Sequence, residues 1–191
     1  MDKTKTTTLT RIARRFEELR RTGELGLVAF ITAGDPAMEA SERIALALAQ
    51  AGADVIELGV PFSDPVADGP VIQRASERAL RSGTTLHGVL ELVKRLRTKT
   101  QVPLLLFSYY NPVLQMGLEK FASAAAEVGA DGALITDIRP EEAGEYREAM
   151  RARGLDTVFL AAPTSPDARL KMIAEVSSGF WQVKAAHPSY P

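Results

Sequence analysis

One acidic residue stands in an apolar run. Glu57 lies in Asp54-Val55-Ile56-Glu57-Leu58-Gly59, where strand alternation puts Val55, Glu57 and Gly59 on one face and Ile56 and Leu58 on the other. A carboxylate in such a setting is either paired with an Arg or Lys or put to use. If used, it is an acid/base whose pKa a dry pocket raises. The run feeds the loop Val60–Pro70, where Pro61, Pro65, Pro70 and Gly69 forbid regular structure. Ligands of α/β folds sit at such C-terminal strand ends. The loop carries Asp64 and Asp68, and each could instead form an Asx-turn or cap a helix starting near Pro70. For Asp68 the functional reading is the stronger, because Glu57 stands on the strand that feeds the same loop. A second loop, Phe107-Ser108-Tyr109-Tyr110-Asn111-Pro112, also follows a strand, and its aromatics suit a flat aromatic ligand or simple rim packing. Asp137 ends a further strand and reads as a site carboxylate or as the N-cap of a helix near Pro140. His87 reads as a solvated histidine.

These residues are positioned by an alternation of two textures. Apolar runs near 27–32, 54–59, 102–108, 132–136 and 156–160, with a last stub near 179–183, read as buried strands. Between them, stretches near 38–51, 70–82, 85–98, 117–128, 140–153 and 166–176 have helical spacing. A first helix over 10–22 places Ile12, Phe16 and Leu19 on one face. Strict alternation implies parallel strands with helical crossovers. A weak repeat supports it: Gly52-Ala53-Asp54, Gly129-Ala130-Asp131 and Gly154-Leu155-Asp156 each precede a strand, with glycine just past a helix end. The Gly-rich dinucleotide fingerprint is missing after the first strand, where the chain has Thr32-Ala33-Gly34-Asp35-Pro36.

Composition narrows the function classes. The 191 residues carry 23 Lys+Arg against 24 Asp+Glu, so there is no overall basic field for nucleic acid. There is no cysteine, which removes disulfides, thiolate metal sites and a Cys nucleophile. His87 and His187 are too few for a His-rich metal site. No apolar run is long enough to span a membrane. Met1–Arg15 is Thr-rich and basic without a hydrophobic segment, which fits a solvated lead-in or a transit peptide but not a secretory signal. The cytoplasm is the expected compartment.

The run from Ala53 to Pro70 resembles the signature of the tryptophan synthase alpha chain family, two acids at a fixed interval included. Phe30-Ile31-Thr32-Ala33-Gly34-Asp35-Pro36 and Tyr109-Tyr110-Asn111-Pro112 match the same family. The resemblance spans roughly 10–180. It implies an α/β fold of the TIM (β/α)8 barrel type, present here as about six βα units. It implies cleavage of indole-3-glycerol phosphate to indole and glyceraldehyde 3-phosphate. It also implies a beta-chain partner in an α2β2 assembly, with pyridoxal phosphate in that partner and no cofactor in this chain. Glu57 would be the general acid/base, and Asp68 would take the indole N–H and stabilise charge on the ring. Phe30 and Tyr109 would line the indole slot. Pro61, Asp64 and Asn111 would face the beta chain.

The chain departs from this family in two places. Arg139 stands where the family usually has a proline. Beyond Phe180 the residues Trp181-Gln182-Val183-Lys184-Ala185-Ala186-His187-Pro188-Ser189-Tyr190-Pro191 replace an expected Ser-Arg-x-Gly-Val-Thr-Gly loop. The expected organisation is a lead-in with a helix over 1–25, a partial barrel over 26–180, and an aberrant tail over 181–191 from a frameshift or chimeric gene end, or else the own tail of a genuine short family member. A complete barrel takes about 250 residues, so the phosphate-binding loops after strands seven and eight are expected to be missing and cleavage to be weak. The competing expectations are a non-catalytic partner of the beta chain and a non-functional product. An unrelated isomerase or aldolase barrel is disfavoured, because no strand ends in a Schiff-base lysine.

Overall fold

The computed structural model describes residues 9–183. The first eight residues and the tail from 184 onward, with Lys184 and His187, lie outside the described residues. The chain runs α1 (Arg11–Thr22), β1 (Val28–Thr32), α2 (Met38–Gln50), β2 (Val55–Gly59), α3 (Pro70–Arg81), α4 (Leu86–Arg97), β3 (Leu104–Ser108) and α5 (Tyr110–Met116). It continues through α6 (Leu118–Val128), β4 (Gly132–Ile135), α7 (Gly144–Ala152), β5 (Asp156–Val158), β6 (Leu160–Ala161), α8 (Asp167–Val176) and β7 (Gln182–Val183). Strands β1 to β5 form one parallel sheet in sequential order, and β6 pairs with β7, also in parallel. The expected fifth strand is thus broken at Phe159 into β5 and β6, and the second piece carries the pairing to the last apolar stub.

Two apolar clusters divide the two faces of the sheet. Ile56, Leu58, Leu104, Leu106, Ala133 and Ile135 pack outward with α4, α6 and α7. The alternate residues Val55, Leu105, Leu134 and Val158 form a second, inner cluster. This is the incomplete barrel that the family resemblance implies: strand period two turns one face to the helices and the other to the barrel interior.

Helix α1 closes the N-terminal end of that interior. Its Ile12 is fully buried in the inner cluster, and Phe16 meets Phe180 with ring centroids 5.0 Å apart. The aspartates of the sequence repeat hold it there. Asp54 pairs with Arg15 at 2.6 Å, Asp131 pairs with Arg11 at 3.0 Å, and Thr10 donates its hydroxyl to Asp156. The repeat's glycines take positive φ as expected, at 96° for Gly52, 84° for Gly129 and 69° for Gly154. The role of the aspartates beside them is not apparent from the sequence.

One element departs from the sequence expectation. The sequence predicts a loop over 107–112, but α5 starts at Tyr110 and includes Asn111 and Pro112. Proline is tolerated in a first helical turn, where its missing N–H would have no partner anyway. The Tyr110 N–H is instead capped by Asp137 Oδ1 at 2.7 Å. Asp137 therefore serves α5, not the helix that follows it in sequence, and α7 begins at Gly144, later than expected.

Candidate active site

Glu57 is the middle residue of β2, with Phe30 of β1 and Leu105 of β3 as its register partners. Alternation with Val55 places it on the barrel's inner face. It is only 2% exposed, and its Oε1 is buried without a hydrogen-bond partner among the described residues. Burial alone pushes its pKa up to about 7. No Arg or Lys offsets it, so the ion-pair alternative left open by the sequence does not apply among the described residues.

Phe30 leans over β2 because Gly59 leaves room: a Cβ at Gly59 would lie 2.6 Å from the Phe30 ring. Phe30 also meets Phe107 edge-on, with centroids 5.1 Å apart. Two half-buried rings thus flank the wall that carries Glu57.

The loop after β2 is tied to β3 by one phenol. Tyr109 donates its hydroxyl to Asp68 Oδ2 at 3.0 Å and accepts the Ala67 N–H at 2.9 Å. Phe62 packs on the same ring at 5.1 Å. Burial pushes the Tyr109 hydroxyl well above its ordinary pKa, so it remains a donor. Gln73 of α3 donates to the Asp68 carbonyl at 2.9 Å and fixes the other side of the loop. Asp68 is not the N-cap of α3; that position is Gly69, without a side-chain bond. Tyr109 itself is only 3% exposed. Its hydroxyl is committed to the loop, and it borders the site as a clamp on Asp68.

Pro61 is buried at the root of the loop, whereas Asp64 is exposed and lines a cleft of about 450 Å³ with Phe62, Ser63, Pro65 and Val66. Asn111 is exposed on α5. Exposed apolar side chains accompany them: Val66 at 76%, Val71 at 68% and Leu114 at 52%. Arg139 is exposed and pairs with Glu142 at 2.9 Å. His87 is exposed on α4.

The sequence matches the family model described as tryptophan synthase alpha chain over residues 16–187. The chain belongs to the tryptophan synthase alpha chain family. The tryptophan synthase alpha chain of Geobacter sp. (strain M21) is 54% identical over 172 residues, which is 90% of this chain and 64% of that relative. The alpha chain of Solibacter usitatus (strain Ellin6076) matches to the same extent. The chain thus spans 64% of the length of these relatives. Among solved structures, tryptophan synthase subunit alpha from Legionella pneumophila str. Paris superposes with a TM-score of 0.89 at 38% identity, covering 93% of this chain and 68% of that one. A chain of the tryptophan synthase complex from Pyrococcus furiosus gives 0.82 at 40% identity, covering 87% and 68%. Another chain of that organism comes from a complex described as α2β2, with a TM-score of 0.81 at 42% identity, covering 84% and 68%. In this family member, no described helix is long and apolar enough to cross a membrane. Among the described residues, no group of three or more His, Asp or Glu could hold a metal ion.

Proposed function

We propose that this alpha-family chain carries the acid/base half of a lyase site that cleaves indole-3-glycerol phosphate to indole and glyceraldehyde 3-phosphate. The observation that supports it most is Glu57: buried, without a partner among the described residues, facing the barrel interior, with a pKa of about 7. Such an acid is poised to give and take a proton at neutral pH.

In this reading the protonated Glu57 donates its proton to the indole ring carbon that bears the glycerol chain. The ring becomes an indolenine with positive charge at nitrogen, and the Asp68 carboxylate accepts the N–H and stabilises that charge. The Glu57 carboxylate then removes the proton of the adjacent glycerol hydroxyl. The carbon–carbon bond breaks, its electron pair returns to the ring, and the hydroxyl carbon leaves as the aldehyde. Atoms balance, and Glu57 ends protonated as it began. Phe30 and Phe107 offer apolar walls to the ring, and Tyr109 holds Asp68 in place. The residues of this chain supply these steps without a cofactor; pyridoxal phosphate chemistry would belong to the partner.

We assign the beta-chain contact to the loop of Pro61 and Asp64 and to Asn111. The exposed Val66, Val71 and Leu114 at the same end support a partner surface. The proposed compartment is the cytoplasm.

The test is indole release from indole-3-glycerol phosphate with the beta chain present. It is run on the 191-residue chain and on residues 1–180 joined in frame to the C-terminal third of a family member. Glu57→Gln should lower release by about 100-fold or more in whichever form is active, and Asp68→Asn by a smaller factor. Release unaffected by Glu57→Gln would overturn the reading.

A further inference from the structure

Glu57 Oε1 shares one property with a single other buried side-chain atom among the described residues: Gln182 Oε1 also lacks a hydrogen-bond partner. An unpartnered buried amide oxygen is costly unless something binds there, so its position in the barrel matters.

Strand pairing gives the direction of the side chain. In β7, Gln182 is the register partner of Leu160 and Val183 that of Ala161. Ala161 belongs to the outer cluster under the helices, and Leu160 packs against the inner one. Partners in register share a face, so Gln182 points inward. Phe180, two residues earlier, also packs with the inner cluster.

Register gives the height. The line of paired residues that starts at Glu57 runs through Leu105 and Gly132 to Asp156. Leu160, and with it Gln182, lies four residues further along the chain direction than Asp156. In an eight-stranded barrel of shear 8 the register climbs by about one residue per strand. From β2 to β7 there are four strand steps, counting β5 and β6 as one broken strand. The offset of four therefore restores the level, and inward side chains of alternate strands form one layer. Glu57 of β2, Leu134 of β4 and Gln182 of β7 are that layer.

We infer that Gln182 is a substrate-contacting residue that hydrogen-bonds a hydroxyl of the glycerol chain from the wall opposite Glu57. This inference rests on the proposed lyase reading and extends it by one residue. The choice of a hydroxyl follows from the donors the ligand offers. The indole N–H is directed to Asp68, and a phosphate dianion has no proton to give to an amide oxygen. The glycerol hydroxyls remain. A hydroxyl both donates and accepts, so it satisfies the carboxamide whichever way the amide is turned.

Two ligands isolate this contact: indole-3-glycerol phosphate, and the phosphate ester of indole-3-propanol, which has the same ring and phosphate but no other hydroxyl. Their dissociation constants are measured by ligand-observed NMR titration on the 191-residue chain and on Gln182→Met, Gln182→Leu and Glu57→Gln. The wild-type chain should prefer the glycerol ligand by at least about fivefold, the worth of one neutral hydrogen bond. Gln182→Met and Gln182→Leu should each lower that preference by about fivefold, Glu57→Gln reading the share of the hydroxyl that Glu57 engages, while the affinity for the propyl ligand stays unchanged, which also reports that the barrel is intact. A preference that survives undiminished in both Gln182 variants, or that is absent in the wild type, overturns the inference alone. If neither ligand binds the wild type, the inference is overturned for this chain, while the lyase reading is decided separately by indole release from the fused form. A general loss of both affinities in both Gln182 variants would show a structural role and overturn the contact.

Discussion

Glu57 makes a prediction about stability as well as about catalysis. Its pKa rises from an ordinary 4.5 to about 7 on folding, through burial. Between those values the folded chain binds more protons than the unfolded one, so stability falls as pH rises through that window and levels off above it. The stability that the neutral acid retains below pH 4.5 amounts to at most about 3 kcal/mol, and it is absent above pH 7. Glu57→Gln removes this titration. Denaturant unfolding at about pH 4.5 and about pH 8 should therefore show the variant gaining on the wild type by about 2–3 kcal/mol between the two. Parallel profiles would mean that Glu57 is not a buried acid. Tyr109→Phe tests the neighbouring contact. It removes the hydroxyl that accepts the Ala67 N–H and donates to Asp68, which should cost about 1 kcal/mol and speed hydrogen exchange at Ala67. An unchanged Ala67 amide would remove the clamp. The candidacy of Glu57 was legible in the sequence, because an acid on a strand of Val, Ile and Leu has to be either paired or put to use. The Tyr109–Asp68 bond was not, because it joins two loops 41 residues apart, and no local pattern encodes that approach.

The elements were largely legible because period two and period 3.6 alternate cleanly along this chain. The failures have local causes. The run ending at Pro112 reads as a loop, yet Pro112 falls in the first turn of α5, where its missing N–H has no consequence. Asp137 reads as a cap for the next helix, yet its carboxylate reaches across to the preceding one. The repeat before β2, β4 and β5 was visible through its glycines, whereas the aspartates act only once α1 has folded under the barrel. Asp131 is the most heavily used of them. It pairs with Arg11 at 3.0 Å and with the mostly buried Arg97 at 2.7 Å, and it accepts the Leu104 N–H at 2.7 Å. Asp131→Ala would leave the Arg97 charge and a buried N–H without their partner, so it should destabilise the chain by about 3 kcal/mol or more. Arg11→Ala should cost about 1 kcal/mol, because Arg11 is one-third exposed and solvent screens the pair. Equal costs for the two, measured by urea denaturation, would contradict the view that Asp131 acts mainly through the buried Arg97.

At the scale of the whole molecule, the barrel interior divides along its axis. The N-terminal end is stoppered by Ile12, Phe16 and Phe180. The polar residues Glu57 and Gln182 lie further up, towards the loops that carry Asp68 and Tyr109. The wall around them is bounded by β1, which pairs only with β2 among the described residues. In a parallel strand the amides of alternate residues point to opposite neighbours. The Ala33 N–H bonds Gly59 O at 2.9 Å, and Leu27 O accepts from Asp54 N at 2.8 Å, so the odd-numbered residues of this stretch face β2. Ala29, Ile31 and Ala33 should therefore exchange their amide hydrogens slowly, while Phe30 and Thr32, which present theirs to the outer edge, exchange quickly. The central strands β2 and β3 are paired on both sides and should be protected at every residue. Exchange measured by NMR at low protein concentration reads these alternations directly. Protection of Phe30 and Thr32 as strong as that of Ala29 and Ile31 would mean that another segment pairs along β1. If that protection grows with protein concentration, the segment belongs to a second copy of the chain, because an exposed strand edge is a template for intermolecular pairing.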